Sequence, residues 1–181
     1  MDGHFWQASD LPFYYIPYWL LYTIPESVLI LIGLSLLFGG MSLLRYRRTG
    51  QWPSASELWP RLLLVFAVLF PLCYLLWKDP VLYDGMRHFL FVVPPMVCVA
   101  ALGLEWMLRR AKAAGRQLLS VGLQGGVGLA SLVVIIEMVS LPPYQYVYFN
   151  QISGGLPAAY MLDETDYWGR SHQEAAEWLN Q

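Results

Sequence analysis

The sequence predicts an all-α integral membrane protein, with four transmembrane helices and a short extracytoplasmic tail that ends in a helix. Three observations predict it. Hydrophobic residues make up 57% of the 181 positions and charged residues only 13%, about half the charge of a soluble domain. Four apolar runs reach the roughly 20 residues needed to cross a bilayer. Basic residues fall in alternate loops, the pattern that membrane insertion selects. A core of this size cannot hide so much apolar side chain, so lipid is the expected solvent.

The first run covers residues 18–44 and has Pro25 near its start. The second covers 58–77, and the third 89–108, where Pro94-Pro95 is expected to kink the helix. The fourth covers 118–141 and carries Gly125, Gly126 and Gly128. Such a strip of small residues lets helices approach closely. Residues 1–17 read as an outer interfacial segment, 18–141 as the transmembrane domain and 142–181 as the tail.

Charge sets the orientation. Arg45, Arg47, Arg48 and Arg61 flank the first loop, and Arg109, Arg110, Lys112 and Arg116 the third. The opposite side holds only Lys78, Arg87 and Arg170, yet all the acids except Glu57 and Glu105. The positive-inside rule places the arginine loops in the cytoplasm. Both termini are then extracytoplasmic, and the protein is multi-pass in the inner (plasma) membrane. Tyr and Trp residues, among them Trp6, Tyr18, Trp19, Trp77, Tyr83 and Tyr144, gather at the outer boundary as an aromatic belt. The N-terminus has no basic region before an apolar one, so no cleavable signal peptide is expected. Cys73 and Cys98 lie in apolar runs and read as small hydrophobes. A net charge of −2 argues against a nucleic-acid partner.

The tail is built differently. It opens with Pro142-Pro143 and passes the turn signal Gly154-Gly155. Ser171 followed by Glu174 forms a capping-box pattern, which predicts a short helix from about Ser171. Within the tail, Asp163, Glu164, Asp166 and His172 match no standard metal-ligand spacing. They read as a solvated acidic turn, and no metal site is assigned.

Candidate chemistry collects at the outer helix ends. Glu26 and Glu137 lie at the limits of the first and fourth spans. An ionisable group inside a span is a functional candidate by default, but at the headgroup layer it costs little. Both readings stand for these two residues. The block Tyr83-Asp84-Gly85-Met86-Arg87-His88 sets an acid, an arginine and a histidine at the water boundary. An arginine fork suits phosphate oxygens, histidine can carry protons near neutral pH, and Asp84 could orient either. The same three residues could equally form a helix cap with Arg87 folded back on Asp84. No P-loop, dinucleotide fingerprint, nucleophile elbow or zincin motif is present.

The block from Tyr83 to Phe91, followed by Pro94-Pro95, resembles a motif of bacterial membrane glycosyltransferases of the family-39 type, relatives of protein O-mannosyltransferases and aminoarabinose transferases. The tail resembles the same group through Pro143-Tyr144-Gln145-Tyr146-Val147-Tyr148-Phe149-Asn150, Gly154-Gly155 and Asp166-Tyr167-Trp168-Gly169. Pro12 to Pro17 is similar to an outer loop before one of their late membrane helices. The resemblance spans nearly the whole chain, and its specific parts are the tail and residues 84–88. It implies a partial GT-C bundle, with a sugar transferred from a polyprenyl-phosphate-linked donor to an acceptor on the non-cytoplasmic side. It implies Arg87 as a phosphate contact, with Tyr83 and His88 beside it and Asp84 holding it. Tyr144, Asn150, Asp166, Tyr167 and Trp168 would shape the acceptor side or clamp the tail onto the helices.

In that group the catalytic acid lies in the first outer loop of a much longer chain. No position here matches it, so no catalytic residue is carried over. The chain is expected to be the C-terminal part of such an enzyme, whether as a fragment, a degenerate descendant or a chain working beside a separate N-terminal half. It needs no cofactor of its own, and a divalent metal is an expectation for an intact enzyme only. The alternative is a non-catalytic membrane subunit or lipid-binding scaffold. A small transporter is the weakest reading, because no span carries a charge near its middle. Four helices of a larger bundle should also leave an apolar flank uncovered.

Overall fold

A computed structural model of the chain describes residues 1–181 apart from 2, 9, 79, 143, 167, 168, 170 and 181 and the side chain of 174. The described residues are helical, with no strand among them. Four helices are long and apolar enough to cross a membrane. The chain divides into two compact units.

The first apolar run is two helices, not one. Helix α1 spans Tyr15–Thr23 and α2 spans Glu26–Thr49. Ile24, between them, is extended, with ψ of 135°. Proline forces this break. Pro25 lacks an N–H and disfavours the α-conformation of the residue before it. The expected span at 18–44 is therefore corrected to α2, and α1 stands apart as a nine-residue helix.

The other spans are close to expectation. Helix α3 runs Ala55–Lys78 and contains Pro60 and Pro71. Helix α4 runs Val93–Ala113 behind a 3₁₀ turn at Arg87–Val92. Pro94 and Pro95 sit in the first turn of α4, where a missing N–H costs nothing. They start this helix and do not kink it. Helix α5 runs Gln117–Ser140.

One unit comprises Ser27–Asp79 and Phe89–Ser131. Its organising element is α4, a third of whose most apolar window is buried, against none in α2 or α3. Helix α3 packs along α4. Helix α2 meets α4 through Ser35, whose hydroxyl donates to the Leu31 carbonyl at 2.7 Å and the Val99 carbonyl at 2.9 Å. Gly103 allows this approach, since a Cβ there would lie 1.9 Å from the Ser35 oxygen. One turn further on, Phe38 stacks on Trp106 with ring centroids 4.2 Å apart, and Arg110 covers the same indole at 5.2 Å. The close packing expected at Gly125, Gly126 and Gly128 is absent, because a Cβ at each would meet nothing within 4 Å. The small-residue contact belongs to α4. The outward faces of α2, α3 and α5 stay apolar and exposed, among them Leu36, Leu63, Phe66 and Leu132.

The other unit comprises Met1–Glu26, Pro80–His88 and Leu132–Gln181. It holds α1, the C-terminal end of α5 and the tail. The tail contains two 3₁₀ turns, Gln145–Val147 and Gln151–Ser153, then α6 at Gly155–Ala159 and α7 at Ser171–Leu179. The final helix begins at the residue the capping pattern indicated. Gly154 and Gly155 are both left-handed, at φ of 81° and 69°, a pair of conformations that glycine adopts without steric cost.

Replacing Gly103 with Ala should cost about 1–3 kcal/mol, since overpacking displaces Ser35 from the Val99 carbonyl. Gly126→Ala should be neutral or stabilising by up to about 1 kcal/mol, because open helix sites prefer Ala. Thermal unfolding in detergent distinguishes the two. A smaller cost of Gly103→Ala in a Ser35→Ala background would locate the clash at that hydroxyl.

Candidate functional site

Proline at position 25 ends α1 and leaves its last carbonyls without helical partners. The tail supplies most of them. Asn150 is fully buried. Its side-chain amide donates to the Leu21 carbonyl at 2.6 Å and the Ile24 carbonyl at 2.7 Å, and its backbone N–H donates to Tyr22 at 2.9 Å. Its side-chain oxygen accepts from the Ser153 N–H at 3.2 Å, which caps the turn Gln151–Ser153. Asparagine suits this place because one group carries both donors and an acceptor. Asn150 is thus a clamp between tail and α1.

Two carboxylates extend the clamp. Glu26 accepts from the backbone N–H groups of Gln151 and Ile152, the latter at 3.1 Å. Glu137 accepts from the Gln151 side-chain amide at 2.9 Å. Both acids are therefore engaged in packing the tail. Tyr148 lies near them, and its hydroxyl is pushed up to about 12, first by burial and then by the charges of Glu26 and Glu137.

The segment Pro80–His88 is laid against α1 in the same unit. Asp84 and Gly85 are consecutive left-handed residues, at φ of 57° and 60°. Aspartate tolerates this region better than most side chains. At Gly85 the Trp19 ring passes so close that a Cβ would lie 3.3 Å from it. The Tyr15 hydroxyl donates to the Gly85 carbonyl at 3.4 Å, and Thr23 contacts the sulfur of buried Met86. The turn brings Asp84 and Arg87 together. The guanidinium donates to the carboxylate at 2.9 Å, while the Arg87 side chain stays 43% exposed. His88 meets the ring of Tyr83 edge to face at 4.5 Å. Its Nε2 is buried and has no hydrogen-bond partner among the described residues.

The remaining candidates lie in the tail. Asp166 accepts from the Tyr146 hydroxyl at 2.6 Å and from the backbone N–H of Ser171 at 3.2 Å, with the Ser171 hydroxyl beside it. It caps α7, and a carboxylate there also suits the helix dipole. Tyr144 meets Tyr146 at 6.5 Å and lines an open hollow of about 330 Å³ with Ser140, Tyr160 and Asp166. Tyr167 and Trp168 lie outside the described residues. Asp163 accepts from the Tyr18 hydroxyl at 2.7 Å. Glu164 lies near Asp84, and its carboxyl is held above the ordinary range by partial burial and then by that charge. Among the described residues no three His, Cys, Asp or Glu groups converge on one point.

Within residues 83–88 the contacts pair Asp84 with Arg87 and Tyr83 with His88. Asn150 attaches the tail to α1, while Tyr144 and Asp166 make the contacts described above within the tail itself. Gln151 and Tyr18, which sequence reasoning passed over, complete that attachment. Neither side chain differs by type or spacing from its neighbours, so no local signal marks it.

Asn150→Ala should destabilise the α1–tail unit by about 2–4 kcal/mol, since two buried carbonyls lose their donor. Faster proteolysis of the tail at constant detergent composition would report it. Burial, then Glu164, pushes the Tyr15 hydroxyl up to about 12. An unfolded tyrosine titrates near 10. Between those values the folded state keeps a proton that the unfolded state has lost, so stability falls as pH rises from about 10 to about 12. Tyr15→Phe should flatten that limb of a stability–pH curve. Comparison with known protein families, with curated proteins and with solved structures returns no match.

Proposed function

We propose that the chain is the C-terminal portion of a membrane glycosyltransferase. The intact enzyme would move a sugar from a polyprenyl-phosphate donor to an acceptor on the non-cytoplasmic side. The observation that carries this reading is Arg87. It is an arginine held by Asp84 at 2.9 Å, still partly exposed, at the start of an apolar helix. A lipid phosphate at a bilayer surface is met by that kind of group, a planar cation pre-oriented by a carboxylate. The buried Nε2 of His88 beside it offers a further polar contact. The order of residues from Tyr83 to Phe91 and in the tail supports the same reading by resemblance.

The reaction would be a displacement at the anomeric carbon. The acceptor oxygen forms the new bond, the bond from carbon to the phosphate oxygen breaks, and the lipid phosphate leaves with the electron pair. Arg87 would offset the charge gathering on that phosphate. The acceptor's proton needs a carboxylate base. Asp84, Asp163, Asp166, Glu26 and Glu137 are each committed to a neighbour within this fold, and in the resemblance the catalytic acid lies in the N-terminal half. That same commitment favours a second reading, a non-catalytic subunit or scaffold that binds polyprenyl lipid. In both readings the protein spans the inner membrane with both termini outside.

Binding of a polyprenyl monophosphate to the chain in zwitterionic nanodiscs tests the common element. Arg87→Ala should weaken binding about tenfold or more, the equivalent of one charge-assisted hydrogen bond, and Arg87→Lys should restore part of it. Equal affinity for the parent chain and Arg87→Ala would sink both readings.

A further inference from the structure

Helix α5 ends at Ser140, and the sequence carries no Asp, Glu, Lys or Arg from 138 to 162. Charge returns abruptly at Asp163, Glu164 and Asp166. A tail moving freely in water would have no reason to avoid charge over that distance. The apolar side chains of this stretch are also turned outward. Ile152, Tyr160, Met161 and Leu162 are exposed, Met161 at 81%. Met161 is held at a φ of 70°, a left-handed conformation that is rare for a long side chain. The fold therefore presents a methionine at a turn where most residues would be strained.

The position of this knuckle follows from its own unit. Tyr160 lines the same hollow as Ser140, Leu141 and Pro142, the last residues of the α5 span and the first beyond it. Asp166 and Ser171 line its other part, so the hollow joins apolar and charged portions of the tail. Asn150 is fully buried and hydrogen-bonded, while the exposed polar side chains of the stretch, Gln145 and Gln151, are uncharged. Tyr144, Tyr146, Tyr148 and Tyr160 supply the aromatic residues typical of the headgroup layer.

We infer that residues 141–162 lie in the interfacial layer of the bilayer, with Tyr160, Met161 and Leu162 inserted into lipid. The partner is the lipid surface itself. Charge resumes at Asp163, and the lipid-facing segment ends there. The extracytoplasmic tail is thus two segments of different solvent, which the donor-binding reading neither requires nor predicts.

Depth measurements on the full chain in liposomes test the inference. Cysteine is placed at Met161, Ile152 or Gln173 in a Cys73→Ser, Cys98→Ser background and labelled with an environment-sensitive fluorophore. Two sites in the segment guard against one that perturbs the fold. A nitroxide on the lipid near the headgroup should quench labels at 161 and 152 about threefold more than the label at 173, as interfacial insertion demands. A water-soluble nickel chelate should show the reverse order. Equal aqueous quenching at all three sites would overturn the inference. Shielding of 161 and 152 from both quenchers would overturn it too, because protein and not lipid would then cover the knuckle.

Discussion

The backbone groups left open where Pro25 interrupts the chain set the terms for the unit that contains them. Ending α1 at Thr23 strands the carbonyls of its last turn. Each one left dry costs about 1–3 kcal/mol. Ile24 returns to Leu20 at 3.4 Å and Thr23 reaches Trp19 through its hydroxyl, but Leu21, Tyr22 and Ile24 need outside donors. Asn150 supplies them all. Tail conformation, tail position and the roles of Glu26 and Glu137 follow from that one residue's place.

The same constraint explains why so many conspicuous polar groups serve structure. Carboxylates close to an apolar environment must be paired or solvated. Here they pair with hydroxyls, amides and backbone N–H groups from segments distant in sequence, as in Tyr18 with Asp163 and Tyr146 with Asp166. The exception in character is Arg87. Its partner Asp84 lies only three residues away, so its geometry is set locally by the left-handed turn and its head remains partly open to solvent.

The helices obey a different rule. Where lipid replaces water, apolar side chains gain little by facing each other, and small residues with shared hydrogen bonds decide the contacts. Ser35 and Gly103 do this between α2 and α4. Much of the apolar surface of α2, α3 and α5 stays exposed.

Composition and period alone determined the helical class, the number and approximate position of the spans, and the start of the last helix at Ser171. These depend on local properties, namely apolar run length and the capping pattern, and local properties are written in the chain. The pairing of Asp84 with Arg87 was legible for the same reason, since three residues separate them. Tertiary structure decided the rest. It showed that Pro25 splits the first run, that Pro94 and Pro95 begin a helix, and that Gly103 rather than the Gly125–Gly128 strip makes the close contact. It also paired Asn150 with the Leu21 and Ile24 carbonyls and Glu26 with the Gln151 and Ile152 amides, across 125 to 129 residues of chain. Residue type says what a group can bond, but which distant carbonyl is left open for it depends on how the helices end and pack.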